Sequence, residues 1–236
     1  MKTNEDLQKD VQNAIKWERL LNAAEIGVTV KDGIVTLSGT VDSYAKKLEA
    51  EKAAKNVAGV KVVVETIQVQ FGENQTQKND VEIAKEVINA FEGNWEIPKG
   101  KVKVKVENGI VSMDGELPWH YQKVAIMRIV KNLLGVKGVN NHILIKSETH
   151  DDIEQRDIES ALRRNWAIDD EDIIVTVTGH KVTLTGKVQS WYQKDEASRI
   201  AWNAPGVWMV ENELLVDYEV ALYSSEAMAQ ADEFLD

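Results

Sequence analysis

The chain has 236 residues, no cysteine, and 28 basic against 39 acidic side chains, for a net charge of −11. An acidic total speaks against general nucleic-acid binding, which rests on neutralising phosphates, and against simple electrostatic adsorption to anionic lipid. Without cysteine there is no disulfide or thiol chemistry, and no stretch approaches the roughly 18 apolar residues of a membrane span.

Met1 to Ile15 holds no apolar run of the signal-peptide kind and carries Glu5, Asp6 and Asp10. As written the chain reads as cytoplasmic; a periplasmic address is expected if a signal peptide has been removed. The same segment places Leu7, Val11, Ala14 and Ile15 at i, i+4, i+7 and i+8, which predicts a helix with one apolar stripe. Next come GVTV (27–30), the dipeptide Asp32-Gly33, and the alternating IVTLSGTV (34–41). Alternation around Asp-Gly predicts a hairpin with a type I′ turn. Ser43 reads as the N-cap of a second helix, with Leu48, Ala53 and Val57 apolar, and Gly59 as its C′ residue. TIQVQF (66–71) is the expected last strand.

This order is written three times. DGIVTLSGTV (32–41) returns as NGIVSMDGEL (108–117) and GHKVTLTGKV (179–188). The glycine inside each copy, Gly39, Gly115 or Gly186, is followed 20 residues later by Gly59, Gly135 or Gly206, each preceding a valine. A spacing held three times is an internal repeat. The second module opens with Ile83, Val87, Ala90 and Phe91, and the third with Ile158, Ala161 and Leu162; Trp95 and Trp166 fall in the links that follow. Further helical positions are Val124, Ile129 and Leu133, then Ile200 and Ala204; Pro118 and Ser190 open these helices, and HILIKS (142–147) and ELLVDY (213–218) close the modules. Because a β-α-β crossover is right-handed, the third strand must run parallel to the second. The expected fold is α+β: three tandem α-β-β-α-β modules at 1–71, 79–147 and 151–219, each a three-stranded mixed sheet with two helices on one face, then an acidic tail at 220–236. The strand glycines are expected to leave room for a helix crossing the sheet.

The glycine in the second strand and Gly-Val after the second helix resemble the BON domain, named for bacterial OsmY and nodulation proteins. LSGTV (37–41), MDGEL (113–117) and LTGKV (184–188) carry the resemblance, with Gly59-Val60, Gly135-Val136 and Gly206-Val207. The family's V-x-N-x-[LI] run is matched by Val139, Asn141 and Ile143, and by Val210, Asn212 and Leu214; the first module has Glu65 in place of the asparagine. The resemblance implies a non-enzymatic protein of osmotic or envelope stress that binds phospholipid or hydrophobic ligands. Secreted members carry a signal peptide or lipoprotein signal, absent from this sequence.

The residues themselves offer no catalytic constellation. His120, His142, His150 and His180 lie in different elements, and no nucleophile-base pair repeats. The run Asp169-Asp170-Glu171-Asp172 lacks the glycine and ligand spacing of an EF-hand and reads as a solvated loop. No cofactor or metal is expected. Charge is uneven: residues 1–72 sum to 0, 73–147 to +2 and 148–236 to −13. The middle module is therefore where any lipid contact is expected. There Lys101, Lys103 and Lys105 alternate with valines on one strand face, an anion-facing patch or alternatively an edge kept unpaired by lysine. Trp119, His120, Tyr121, Trp191 and Tyr192, with Tyr44, stand at the strand-to-helix corner. They suit a lipid or partner contact, or else staple the helix start to the hairpin. The function read from all this is a non-enzymatic binding protein meeting phospholipid or another envelope protein, with an adaptor or self-associating module as the first alternative and a small-molecule or ion-binding module as the second. Oligomeric state is not legible.

Overall fold

The structure, a computed structural model, describes residues 2–72, 78–146, 153, 155–168 and 172–217. His150, Asp169 to Glu171 and the 220–236 tail lie outside the described residues.

The first module runs α1 (Asn4–Trp17), a 3-10 turn (Ala23–Glu25), β1 (Ile26–Lys31), β2 (Ile34–Val41), α2 (Tyr44–Lys55), β3 (Val62–Glu65) and β4 (Gln68–Val69). The second runs α3 (Asp80–Glu92), β5 (Val102–Glu107), β6 (Ile110–Leu117), α4 (His120–Val130) and β7 (Gly138–Ile145). The third runs α5 (Gln155–Arg163), β8 (Ile173–Thr178), β9 (Lys181–Val188), α6 (Trp191–Trp202), β10 (Met209–Asn212) and β11 (Leu215–Val216).

Each opening helix forms where a cap and a stripe coincide. Thr3 accepts from the Asp6 N–H, and Asn79 and Glu82 make a reciprocal capping box. Leu7, Val11 and Ile15, then Ile83, Val87 and Phe91, then Ile158 and Leu162, are buried as the spacing requires. The central strand of every sheet pairs antiparallel with the strand before it and parallel with the one after α2, α4 or α6. Both hairpin residues have positive φ at Asp32-Gly33 and Asn108-Gly109, whereas at Gly179-His180 only the glycine does, which separates type I′ from type II′. In each module the two helices share one apolar cluster with one sheet face. The other face is open and exposes Ile34, Val62 and Val64 in module one.

Three expectations need correction. The third strand begins four residues earlier than the alternating run suggests, at Val62, Gly138 and Met209. The run Val62-Val63-Val64 has no polar alternation because its residues are apolar on both faces of the sheet. In modules one and three the strand is also interrupted, at Thr66-Ile67 and Glu213-Leu214. Second, Val124 is 51% exposed. The inward row of the second helix is Ala50, Ala53 and Ala54, with Ile126 and Val130, then Ala197, Ile200 and Ala201, at the same places in α4 and α6. Pro118 lies two residues before α4 rather than inside its first turn. Third, no helix crosses the strand glycines. A Cβ on Gly39, Gly115 or Gly186 would sit 2.0, 2.2 or 1.9 Å from the carbonyl oxygen of Glu25, Lys101 or Asp172. The close neighbour is the main chain entering the first strand of the hairpin, and it leaves no space for a side chain.

Candidate functional site

The lysine strand lies on the open face of the middle sheet, with Lys103 and Lys105 exposed. The register sets Lys103 opposite Asp114, and Lys105 Nζ lies 2.9 Å from Glu107. Glu116 pairs with Lys146 and Asp114 with His142, both at 3.4 Å. Lys101 precedes β5 and lends its carbonyl to the contact at Gly115. Acidic partners therefore interleave with the lysines, and exposed pairs of this kind contribute about 0–1 kcal/mol each. The face is charge-balanced rather than a basic patch.

The corner aromatics divide into two groups. Tyr44, His120 and Trp191 occupy one equivalent position, five residues after the strand glycine and first in α2, α4 and α6. Each reaches a different module. Tyr44 is half-buried against the core of module two, and its hydroxyl oxygen takes a hydrogen bond from the Val139 backbone. Burial raises its pKa above the ordinary 10.0. His120 stacks on Trp202 of module three at 4.4 Å between ring centroids and 8° between planes. Desolvation pushes the His120 pKa down, and the Lys123 charge adds to that. Trp191 donates its Nε1–H to the Val60 carbonyl of module one at 3.1 Å, with Lys55 of that module 6.0 Å from its ring. Beside this joint, burial raises the Asp195 pKa, opposed by Lys55, Lys194 and Lys52.

Module one thus meets two, two meets three, and three returns to one. The contact circuit closes, joining the start of one second helix to the region where another module's second helix ends. A head-to-tail contact that closes after three steps turns by about 120° at each. The first residues of these helices are neither an outward contact nor a staple onto their own hairpin; they are the joints between modules. Trp119, Tyr121 and Tyr192 form the second group, at 40, 50 and 49% exposure. Trp119 and Tyr121 rim a small cleft at the His120–Trp202 joint.

Two features escaped the sequence reading. Eight residues after each strand glycine stands a lysine, Lys47, Lys123 or Lys194, donating to the carbonyl of Ile67, Ile143 or Leu214 at 3.0, 2.6 and 2.6 Å. The N–H of that same acceptor residue is held by the side chain two positions earlier, Glu65, Asn141 or Asn212. Glu65 therefore does the asparagine's work and adds an ion pair with Lys47 at 2.9 Å. The Gly-to-Lys spacing was visible three times over. The second feature is the exposure of Trp17 (85%), Trp95 (89%) and Trp166 (96%). The last two stand 20 residues before Gly115 and Gly186, and Trp17 ends α1 close to the matching place. Among the described residues no group of three or more His, Cys, Asp or Glu side chains is placed to hold a metal ion, and no helix is long and apolar enough to cross a membrane.

The family model for the BON domain matches residues 3–70, 79–147 and 150–218. The chain belongs to the BON domain family. The paired lysine and Asn/Glu clasp is therefore a device shared by all three BON modules of this chain. Osmotically-inducible protein Y of Escherichia coli (strain K12) is 30% identical over 129 residues, 53% of this chain and 64% of that protein. The match thus spans less than two-thirds of that relative's length. An uncharacterized protein in the gshII 5′ region of Anaplasma centrale is 28% identical over 125 residues, 52% of this chain and 83% of that one. Among solved structures, the C-terminal domain of CdsD, the structural protein of the Type III secretion system of Chlamydia trachomatis, is similar at 16% identity with a TM-score of 0.24. That alignment covers 92% of this chain and 100% of the other, and so low a score carries no statement about how the modules are arranged.

Proposed function

We propose that this BON protein is a non-catalytic binding protein of osmotic or envelope stress that meets a phospholipid surface through exposed tryptophans. The observation carrying the reading is the set Trp17, Trp95 and Trp166, at 85–96% exposure. An indole is costly to leave in water and suits the headgroup region, where an apolar ring and an N–H are both served. Two of the three occupy equivalent positions, so a ring closed by rotation carries them on the same side. The similarity to an osmotically inducible protein supports the physiological setting.

Charge is not the driving term in this proposal. The net charge is −11 and the lysine strand is balanced by its neighbours, so attraction to anionic headgroups, about 1 kcal/mol per free basic residue, is largely cancelled. Binding is then weak, insensitive to salt, and dependent on indole insertion. Co-sedimentation of the full chain with phosphatidylcholine and phosphatidylglycerol vesicles tests this. The parent is expected to pellet with both, and Trp17→Ala/Trp95→Ala/Trp166→Ala with neither. A parent that stays in the supernatant with both vesicle types overturns the proposal.

A further inference from the structure

The three modules carry equivalent edge strands with different chemistry. β1 reads IGVTVK and ends in Lys31; β5 reads VKVKVE and carries Lys103, Lys105 and Glu107; β8 reads IIVTVT and has no charge. An edge strand exposes unpaired main-chain groups, and lysine on it is the usual device against pairing with another chain. Module three lacks that device. All six residues of β8 are β-branched, which favours extended backbone, and Ile174 is 63% exposed. Among the described residues β8 pairs with β9 alone.

The register shows which groups face the free edge. The Lys187 N–H bonds to the Asp172 carbonyl at 3.2 Å, and Ile173 stands opposite Gly186. Antiparallel pairs alternate between bonded and non-bonded. The bonded pairs are then Ile174–Thr185, Thr176–Thr183 and Thr178–Lys181, and the N–H and C=O of Ile173, Val175 and Val177 point away from β9. The side chains of Ile173 and Val175 are buried on the helix-covered face, while Ile174, Thr176 and Thr178 are exposed on the open one.

We propose that the β8 edge is a docking site for an extended, basic polypeptide segment, which adds to the sheet as a fourth row beside β8. Strand addition draws affinity from main-chain hydrogen bonds and selectivity from the alternating side chains. Charge chooses the occupant. Residues 148–236 carry 7 basic and 20 acidic side chains, so the module attracts a Lys- or Arg-rich strand. Two copies of it, each at −13, repel, which disfavours the same edge pairing with itself.

The test uses the full chain and a labelled short peptide alternating threonine and lysine, read by fluorescence anisotropy at low salt. Two comparison peptides replace lysine by glutamate, or place proline at the centre, which keeps the charge but removes a ladder donor. Binding of the first peptide and not of the other two is expected. The double variant Ile174→Lys/Thr176→Lys copies the side chains of Lys103 and Lys105 that module two already accommodates, and it should weaken binding by roughly tenfold or more. Amide hydrogen exchange with the peptide bound should slow at Ile173, Val175 and Val177 and change little at Ile174, Thr176 and Thr178. Equal binding of the proline peptide, protection without that alternation, or no binding at low salt overturns the proposal. A dimer of the free chain that Ile174→Lys/Thr176→Lys disrupts gives the edge to a second copy and overturns the choice of partner.

Discussion

Trp191→Ala should open the ring at one joint while leaving all three modules folded. Trp191 Nε1 donates to the Val60 carbonyl at 3.1 Å, and Lys55 lies 6.0 Å from the ring. A net hydrogen bond contributes about 0.5–1.5 kcal/mol, and a partly exposed cation–π contact about 0.5–1 kcal/mol. Together they favour the closed joint by about 1–2.5 kcal/mol, a factor of roughly 5 to 70 in the closed-to-open ratio. No core residue is lost, because Trp191 is not part of the module-three apolar cluster. The chain has no cysteine, so a pair placed at Thr29 and Thr176, both exposed, takes two spin labels and nothing else reacts. Electron–electron distance measurement should give one narrow distribution in the parent and a broader, longer one in Trp191→Ala. An unchanged distribution with the indole removed refutes the reasoning that this contact closes modules three and one.

Other outcomes follow from the same contacts. Gly115→Ala puts a Cβ 2.2 Å from the Lys101 carbonyl oxygen, and the hairpin must spread; a loss of about 1–3 kcal/mol is expected, read as faster hydrogen exchange across β5 and β6, and parental exchange rates would contradict the close approach. Lys194→Met removes the donor to the Leu214 carbonyl at 2.6 Å; a loss of about 1.5–3 kcal/mol is expected for a charged donor, seen as a lower thermal midpoint of module three. The His120–Trp202 joint should weaken in acid. Burial lowers the folded-state pKa of His120 below its ordinary 6.5, so the open joint binds the proton more readily, stability is full above that value, and it falls as pH drops below it; a joint equally closed at pH 7 and pH 5, measured by labels across it, would contradict this sign.

Much of the fold was legible because the sequence repeats its punctuation. Asp32-Gly33 and Asn108-Gly109 can hardly be anything but tight hairpin turns, and Leu7, Val11 and Ile15 admit one helical face. The start of the third strand was hidden because Val62, Val63 and Val64 are apolar on both sides of the sheet, which erases the period of two. The strand glycines were recognised as close approaches, but the neighbour was misplaced: a steric exclusion is visible in a sequence, whereas what fills the space is a tertiary fact. The joints illustrate the same limit. Tyr44, His120 and Trp191 differ in chemistry, share one position, and meet partners far away in the chain, such as Val60 131 residues before Trp191. Only the Gly-to-Lys spacing that leads to Lys47, Lys123 and Lys194 was fully present in the sequence and passed over. The lysine strand was read correctly as one face; its balance by Asp114, Glu107 and Glu116 depends on register, which no single strand reveals.

The membrane reading meets its most direct test in the tryptophan emission of the full chain as vesicles are added. Indoles at 85–96% exposure should emit like tryptophan in water, shift to the blue on insertion, and become quenchable by lipids brominated near the headgroup. The shift should survive high salt, since screening over roughly 8–10 Å leaves apolar insertion untouched, and it should vanish in Trp17→Ala/Trp95→Ala/Trp166→Ala. Emission that stays unshifted at every lipid concentration would contradict the proposed membrane contact, as would a blue shift that the triple variant retains.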